Sequence, residues 1–186
     1  GADFALPITS TIVRGEMALN LTKGFETQMH IPNPDFSYVL GIERSIFNTT
    51  AILQYIGKYT LEFTELTEPI LTDFTPEAIQ IFAGEMMLYE STQYNRRIFN
   101  QQEKTNHALM LSLARSFLYE ELNAELAGLY NFTSEEYLLR GNIRWSISDA
   151  LSANLGVSYM LGPEESIYKM AGKVMNGVFL GLTVKF

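Results

Sequence analysis

Along much of this chain apolar residues recur at every second position, the spacing of a strand with one greasy and one mixed face. The final residues show it most clearly: Val178, Leu180, Leu182, Val184 and Phe186 alternate with Phe179, Gly181, Thr183 and Lys185. The same period predicts strands over Thr11 to Leu21, Phe36 to Phe47, Ala51 to Phe63 and His107 to Leu118. It predicts three more over Leu122 to Phe132, Tyr137 to Ser148 and Leu151 to Leu161, before a closing strand over Asn176 to Phe186. His107 to Leu118 is apolar on both faces, so its sides stay unassigned. The pattern predicts an all-β chain of eight antiparallel strands, each near the roughly 9–11 residues with which a tilted strand crosses a bilayer.

The connections alternate in length. With the Thr11 strand running outward, the turns around Asn48-Thr49-Thr50, Glu120-Glu121 and Ser148-Asp149-Ala150 are short and share one side. The opposite side carries Met29-His30-Ile31-Pro32-Asn33-Pro34, a stretch of about residues 64–106, and Gly162 to Met175, with one short exception at Ser134-Glu135-Glu136. Short inner turns and long outer loops are the asymmetry of membrane barrels. An even strand count returns Phe186 to the short-turn rim. Tyr38, Tyr59, Phe63, Tyr130, Phe132, Tyr137 and Tyr159 fall at expected outer ends, and Phe47, Phe117, Trp145 and Phe186 at inner ends. Such belts suit rings at a headgroup boundary, although aromatic residues also favour strands in general. Within the long third connection, Thr75-Pro76-Glu77-Ala78 reads as a helix start, with Thr as N-cap and Pro at the first position. The apolar residues that follow, among them Ile79, Phe82 and Met86, leave two readings: a segment folding into or over the mouth, or strands that extend further than drawn.

Composition narrows the classes. The 186 residues suffice for one domain, and 47% are hydrophobic against 18% charged. Mean hydropathy is only +0.03, and no stretch reaches the roughly 18 consecutive apolar residues of a membrane helix. Net charge is −8 with no basic cluster, which gives nucleic-acid binding little support. There are no cysteines, so disulfides and thiolate metal sites are excluded and passage through an oxidising compartment is tolerated. The chain opens on Gly1 without an initiator Met or signal peptide, so it is read as a mature form, an expressed portion or a piece of something longer.

An apolar face ending on a carboxyl-terminal aromatic residue resembles the closing strand of bacterial outer-membrane β-barrels. Leu180, Leu182, Val184 and Phe186 are accordingly read as an assembly signal. More narrowly, four stretches resemble the C-terminal part of a large porin-like family of poorly characterised function. These are Arg14-Gly15-Glu16, Gly41-Ile42-Glu43-Arg44 with Leu53-Gln54-Tyr55, His107 to Ser112 leading to Arg115-Ser116-Phe117-Leu118, and Leu161-Gly162-Pro163. The resemblance implies a transmembrane antiparallel β-barrel over residues 1–186 in a Gram-negative outer membrane, with an extracellular loop at about 64–106. It implies the lipid bilayer, lipopolysaccharide and barrel-assembly machinery as partners, with protein partners or an oligomer as a further option. Members of that family have more strands, which leaves a complete eight-stranded barrel or the last eight strands of a larger one.

The expected interior face carries Arg14, Glu16, Glu43, Lys58, Glu62, Glu125, Arg140, Arg144 and Lys185. In a narrow barrel these charges would pair across the interior; in a wide one they would line a channel and set ion preference. Of the two histidines, His30 sits in a loop beside Asp35, and His107 shares a strand with Ser112 and Ser116 too distant for a triad. No phosphate-binding loop or clustered metal ligands appear, so no catalytic residue, metal or cofactor is expected. The leading expectation is a porin-like channel for passive transport of small solutes. The alternatives are a filled barrel that scaffolds a partner or presents surface loops, and, third, a barrel enzyme.

Overall fold

The computed structural model describes residues 1–25 and 31–185. It contains nine strands and two helices: β1 Ala2–Ile8, β2 Thr11–Asn20, β3 Asp35–Ile46, β4 Thr49–Thr60, α1 Pro76–Ile98, β5 Thr105–Phe117, β6 Leu122–Asn131, β7 Glu136–Ser146, β8 Leu151–Leu161, α2 Ile167–Met175 and β9 Gly177–Val184. Every strand pairs antiparallel with its sequence neighbour, giving one all-β sheet in the order β1 to β9.

The expected eight strands are therefore nine. β1 was missed although Phe4, Leu6 and Ile8 alternate with Asp3, Ala5 and Pro7: it is short, and a proline demotes a run as a strand signal. An extra strand changes the parity. β1 starts at the long-loop end and runs the same way as β9, and among the described residues each of these strands has one neighbour only. The sheet is not closed into a barrel. Phe186 and His30 lie outside the described residues.

The alternation of connections holds. At one end lie the two-residue turns Thr9-Ser10 and Phe47-Asn48 and the short links 118–121 and 147–150; at the other β2 leads to β3, and there lie 61–104 with α1, 132–135, and 162–176 with α2. Phe47 and Asn48 both have positive φ, 50° and 60°. That is the mirror-image two-residue turn whose twist matches paired strands. Among the described residues no helix is long and apolar enough to cross a membrane.

The register also shows a steady stagger. The line of directly paired residues that begins on Ile8, the last residue of β1, ends on Val178, six residues before Val184 at the end of β9. Six residues over eight strand steps, at about 3.3 Å per residue and 4.8 Å per strand, tilt the strands by roughly 30°.

Pairing fixes which residues share a face, because directly opposite residues point the same way. One face is apolar almost throughout: Leu6, Val13, Ile42, Leu53, Leu111, Leu139, Leu155 and Leu180 are examples. β5 is now assigned, with Leu109, Leu111 and Leu113 on the apolar face and Met110, Ser112 and Ala114 on the other. Large side chains of the apolar face are exposed, Leu111 at 45% and Leu180 at 74%. The opposite face is the more covered one: along β8, Leu155, Val157 and Tyr159 are exposed while Gly156, Ser158 and Met160 are buried or half-buried. Buried side chains are mostly polar, among them Asp35, Thr60, Gln101, Asn106, Asn131 and Glu136, whereas the large apolar residues lie outside. A water-soluble domain does the opposite.

Candidate functional site

The polar face is the candidate site. Arg14, Glu16, Glu43, Lys58, Glu125, Arg140 and Arg144 all lie on it, each at a register position of the same parity. Glu62 does not. β4 ends at Thr60, and Glu62 adopts a positive φ of 51° in the following turn, where its carbonyl accepts a bond from Asn33 Nδ2. The alternation of Ala51 to Phe63 extended that strand past its real end. Lys185 lies beyond β9, its amide bonded to the Ala150 carbonyl.

The charges are not equivalent. Arg14 donates to Glu43 at 2.8 Å across β2 and β3. Lys58 Nζ donates to the Phe99 carbonyl at the end of α1, 2.7 Å away, so this cation holds a helix terminus. Arg140 and Arg144, four residues apart on β7 and both exposed, make none of the ion pairs found among the described residues. Their directly opposed neighbours are uncharged: Ala127 and Ser158, then Asn123 and Asn154. Glu125 lies opposite Asn142, midway between them. A patch of the same face is apolar: Met110, Leu129, Leu138 and Met160 form one row across β5 to β8.

At the long-loop end the polar face is capped by hydrogen bonds. Gln101, 2% exposed, accepts from the Asn33 amide at 2.9 Å and donates to the Asn33 carbonyl at 2.8 Å and to Asp35. Asp35 Oδ1 in turn accepts from Asn20 and Ser37. Asn131 bonds Asn106 and the amides of Thr133 and Ser134, and Glu136 accepts from Ser134 and from the Tyr168 amide in α2. Burial pushes the Tyr168 phenol above its ordinary range, and the Glu136 carboxylate adds to the rise.

α1 begins as the sequence indicated: Thr75 accepts from the Ala78 amide and Pro76 occupies the first position. None of its residues is buried. It is attached at its C-terminal end, through Lys58, through Gln101, and through an Arg97–Glu165 ion pair that reaches the link between β8 and α2. The Arg96 guanidinium stacks on Phe63, 5.0 Å from the ring centroid, and burial lowers its pKa. An open groove of about 850 Å³ runs between this end of α1 and residues 62–69, lined by Phe63, Leu66, Leu88, Tyr89 and Arg96 among others. These attachments set the C-terminal end of α1 at the long-loop end of the sheet, a placement for which the sequence carried the helix signal but no partner.

The apolar face carries the aromatic belts. Tyr38, Tyr59, Tyr130, Tyr137 and Tyr159 stand toward its long-loop end, with Tyr130 stacked on Tyr137 at 4.4 Å. Phe117 and Trp145 stand at the short-turn end. His107 also belongs to this face, with Nδ1 2.7 Å from the Tyr55 hydroxyl, and thus on the opposite side from Ser112 and Ser116. Leu180, Leu182 and Val184 continue the face on β9. Comparison with protein-family models, curated proteins and solved structures yields no match.

Proposed function

We propose that the sheet is the wall of an outer-membrane β-barrel, with its apolar face against lipid and its polar face lining a porin-like passage for small solutes. The observation that carries this reading is the inverted burial: a continuous, exposed apolar face across nine strands backs onto a face bearing Arg, Glu, Asn and Ser. The roughly 30° stagger lies just below the roughly 35–45° typical of barrel strands. Aromatic rings concentrated at both margins of the apolar band suit two membrane interfaces.

Because β1 and β9 run in the same direction, nine strands alone would close only through a parallel seam. Antiparallel closure takes an odd number of further strands. With several further strands the wall would leave an aqueous interior, whereas a barrel of about eight strands is filled by side chains. Small residues on the polar face, including Gly41, Ala108, Ser112, Ala127 and Ser158, also favour an open interior over a filled scaffold.

The test is conductance in planar bilayers, with ion preference read from reversal potentials. Discrete channels are expected, and the double variant Arg140→Glu/Arg144→Glu should shift the reversal potential toward cations. Arg14→Gln, which changes the charge by about one unit against about four and frees the Glu43 carboxylate, should shift it less. Stable insertion without conductance would replace the channel with the scaffold reading.

A further inference from the structure

Within the strands, the apolar face bears two formal charges among the described residues, Arg44 on β3 and Arg115 on β5, with no acidic residue beside them. They stand on either side of β4: Arg44 is paired with Ala51, and Arg115 with Thr49. Each lies two residues before the short-turn end of its strand, at Ile46 and Phe117. Both are exposed, and neither makes an ion pair among the described residues. Glu43 is no partner for Arg44, since it points to the other face and binds Arg14. The Arg115 guanidinium carbon sits 4.7 Å from the centroid of the Phe117 ring, which holds it over the sheet.

An open groove of about 550 Å³ starts beside Arg115 and Thr49 and runs over the apolar face. Leu113, Leu126 and Ile143 border it, Ala124 and Gly141 are small residues among its walls, and Glu125 and Asn142, whose register places them on the opposite face, also line it. A cationic head above an apolar channel is complementary to one molecule of the surroundings already inferred. We propose that Arg44, Arg115 and this groove bind an anionic phospholipid of the leaflet on the short-turn side. The phosphate diester accepts hydrogen bonds from the two guanidinium groups, and one acyl chain lies in the groove. The choice of an anionic over a zwitterionic headgroup follows from the charges. Two cations meet the phosphate, and among the described residues of the strands no carboxylate lies on this face to meet a headgroup ammonium. The depth fits as well, since arginine side chains near the end of a membrane-spanning element extend to the headgroup layer. This site rests on the membrane reading above.

Trp145, the single tryptophan, belongs to the same face on β7, two residues from Ile143. It serves as the reporter. The protein is reconstituted in phosphatidylcholine vesicles containing a fixed minor fraction of brominated phosphatidylglycerol or, separately, of brominated phosphatidylcholine, and quenching is compared. The expected result is stronger quenching by the brominated phosphatidylglycerol, equivalent to a local enrichment on the order of tenfold that declines with added salt. The Arg44→Gln/Arg115→Gln variant should bring the two lipids to equal quenching. If that variant fails to fold, each single variant should lower the preference by part of the effect. Equal quenching of the unmodified protein by both lipids, or an undiminished preference in both single variants, overturns the lipid site and leaves the membrane reading intact. No quenching by either lipid overturns the membrane reading and the site with it.

Discussion

At the scale of single residues, the sheet depends on glycines that lie beneath aromatic rings of the neighbouring strand. Gly15 faces Phe4, Gly57 faces Tyr38 and Gly156 faces Phe179, each pair directly opposed in register. A Cβ built on Gly57 would stand 2.2 Å from Tyr38 Cζ, and one on Gly156 would stand 1.8 Å from Phe179 Cζ. The rings cover backbone that glycine leaves bare, a device that also pins register. Gly57→Val should therefore displace the Tyr38 ring and lower stability by about 1–3 kcal/mol, measured as a fall in the urea midpoint of the protein folded in detergent micelles. Gly128 provides the comparison, since a Cβ there meets nothing closer than 3.8 Å, and Gly128→Ala should change the midpoint little. These pairings were not legible in the sequence. A lone glycine in an alternating run gives no sign of which residue lies across from it until the register is known.

At the scale of elements, strand alternation was legible because period two survives any register, and eight of the nine strands were readable from it. The boundaries that failed did so for local reasons. Pro7 masked β1, and the alternation from Ala51 to Phe63 ran on past Thr60, which misplaced Glu62. β5 resisted assignment because its polar-facing positions include Ala108, Met110 and Ala114, which hydropathy cannot separate from the leucines facing outward. α1 shows the converse. Its N-cap was plain in Thr75-Pro76, but its position depends on bonds made by residues outside it, chiefly Lys58, Gln101 and Glu165. Since no residue of α1 is buried, replacing residues 72–92 by a flexible linker of equal length should leave the sheet folded. The unfolding midpoint is expected to move by less than about 1 kcal/mol of stability, with circular dichroism losing helix and retaining strand signal. A cooperative loss of the sheet would show that α1 supports the wall, contrary to its sparse attachment.

At the scale of the whole molecule, segregation of the two faces organises everything else. Within the strands, asparagines, serines and most charges share one face, while most of the large aliphatic residues and the aromatic belts share the other. Much of this was legible, because alternation states that two faces exist and the charges mark one of them. What it left unread was the odd strand count, the same sense of β1 and β9, and the presence of Arg44 and Arg115 on the greasy side. Which face meets lipid can be read from a spin-label scan of β5, made simple by the absence of native cysteine. Single cysteines at Leu109, Met110, Leu111, Ser112, Leu113 and Ala114 are labelled, and the protein is reconstituted in lipid vesicles. Collision with lipid-soluble oxygen is then compared with collision with a water-soluble nickel chelate. Labels at 109, 111 and 113 should meet oxygen, and those at 110, 112 and 114 should meet the chelate. Chelate access at 109, 111 and 113 equal to that at the even positions would contradict lipid contact on the apolar face.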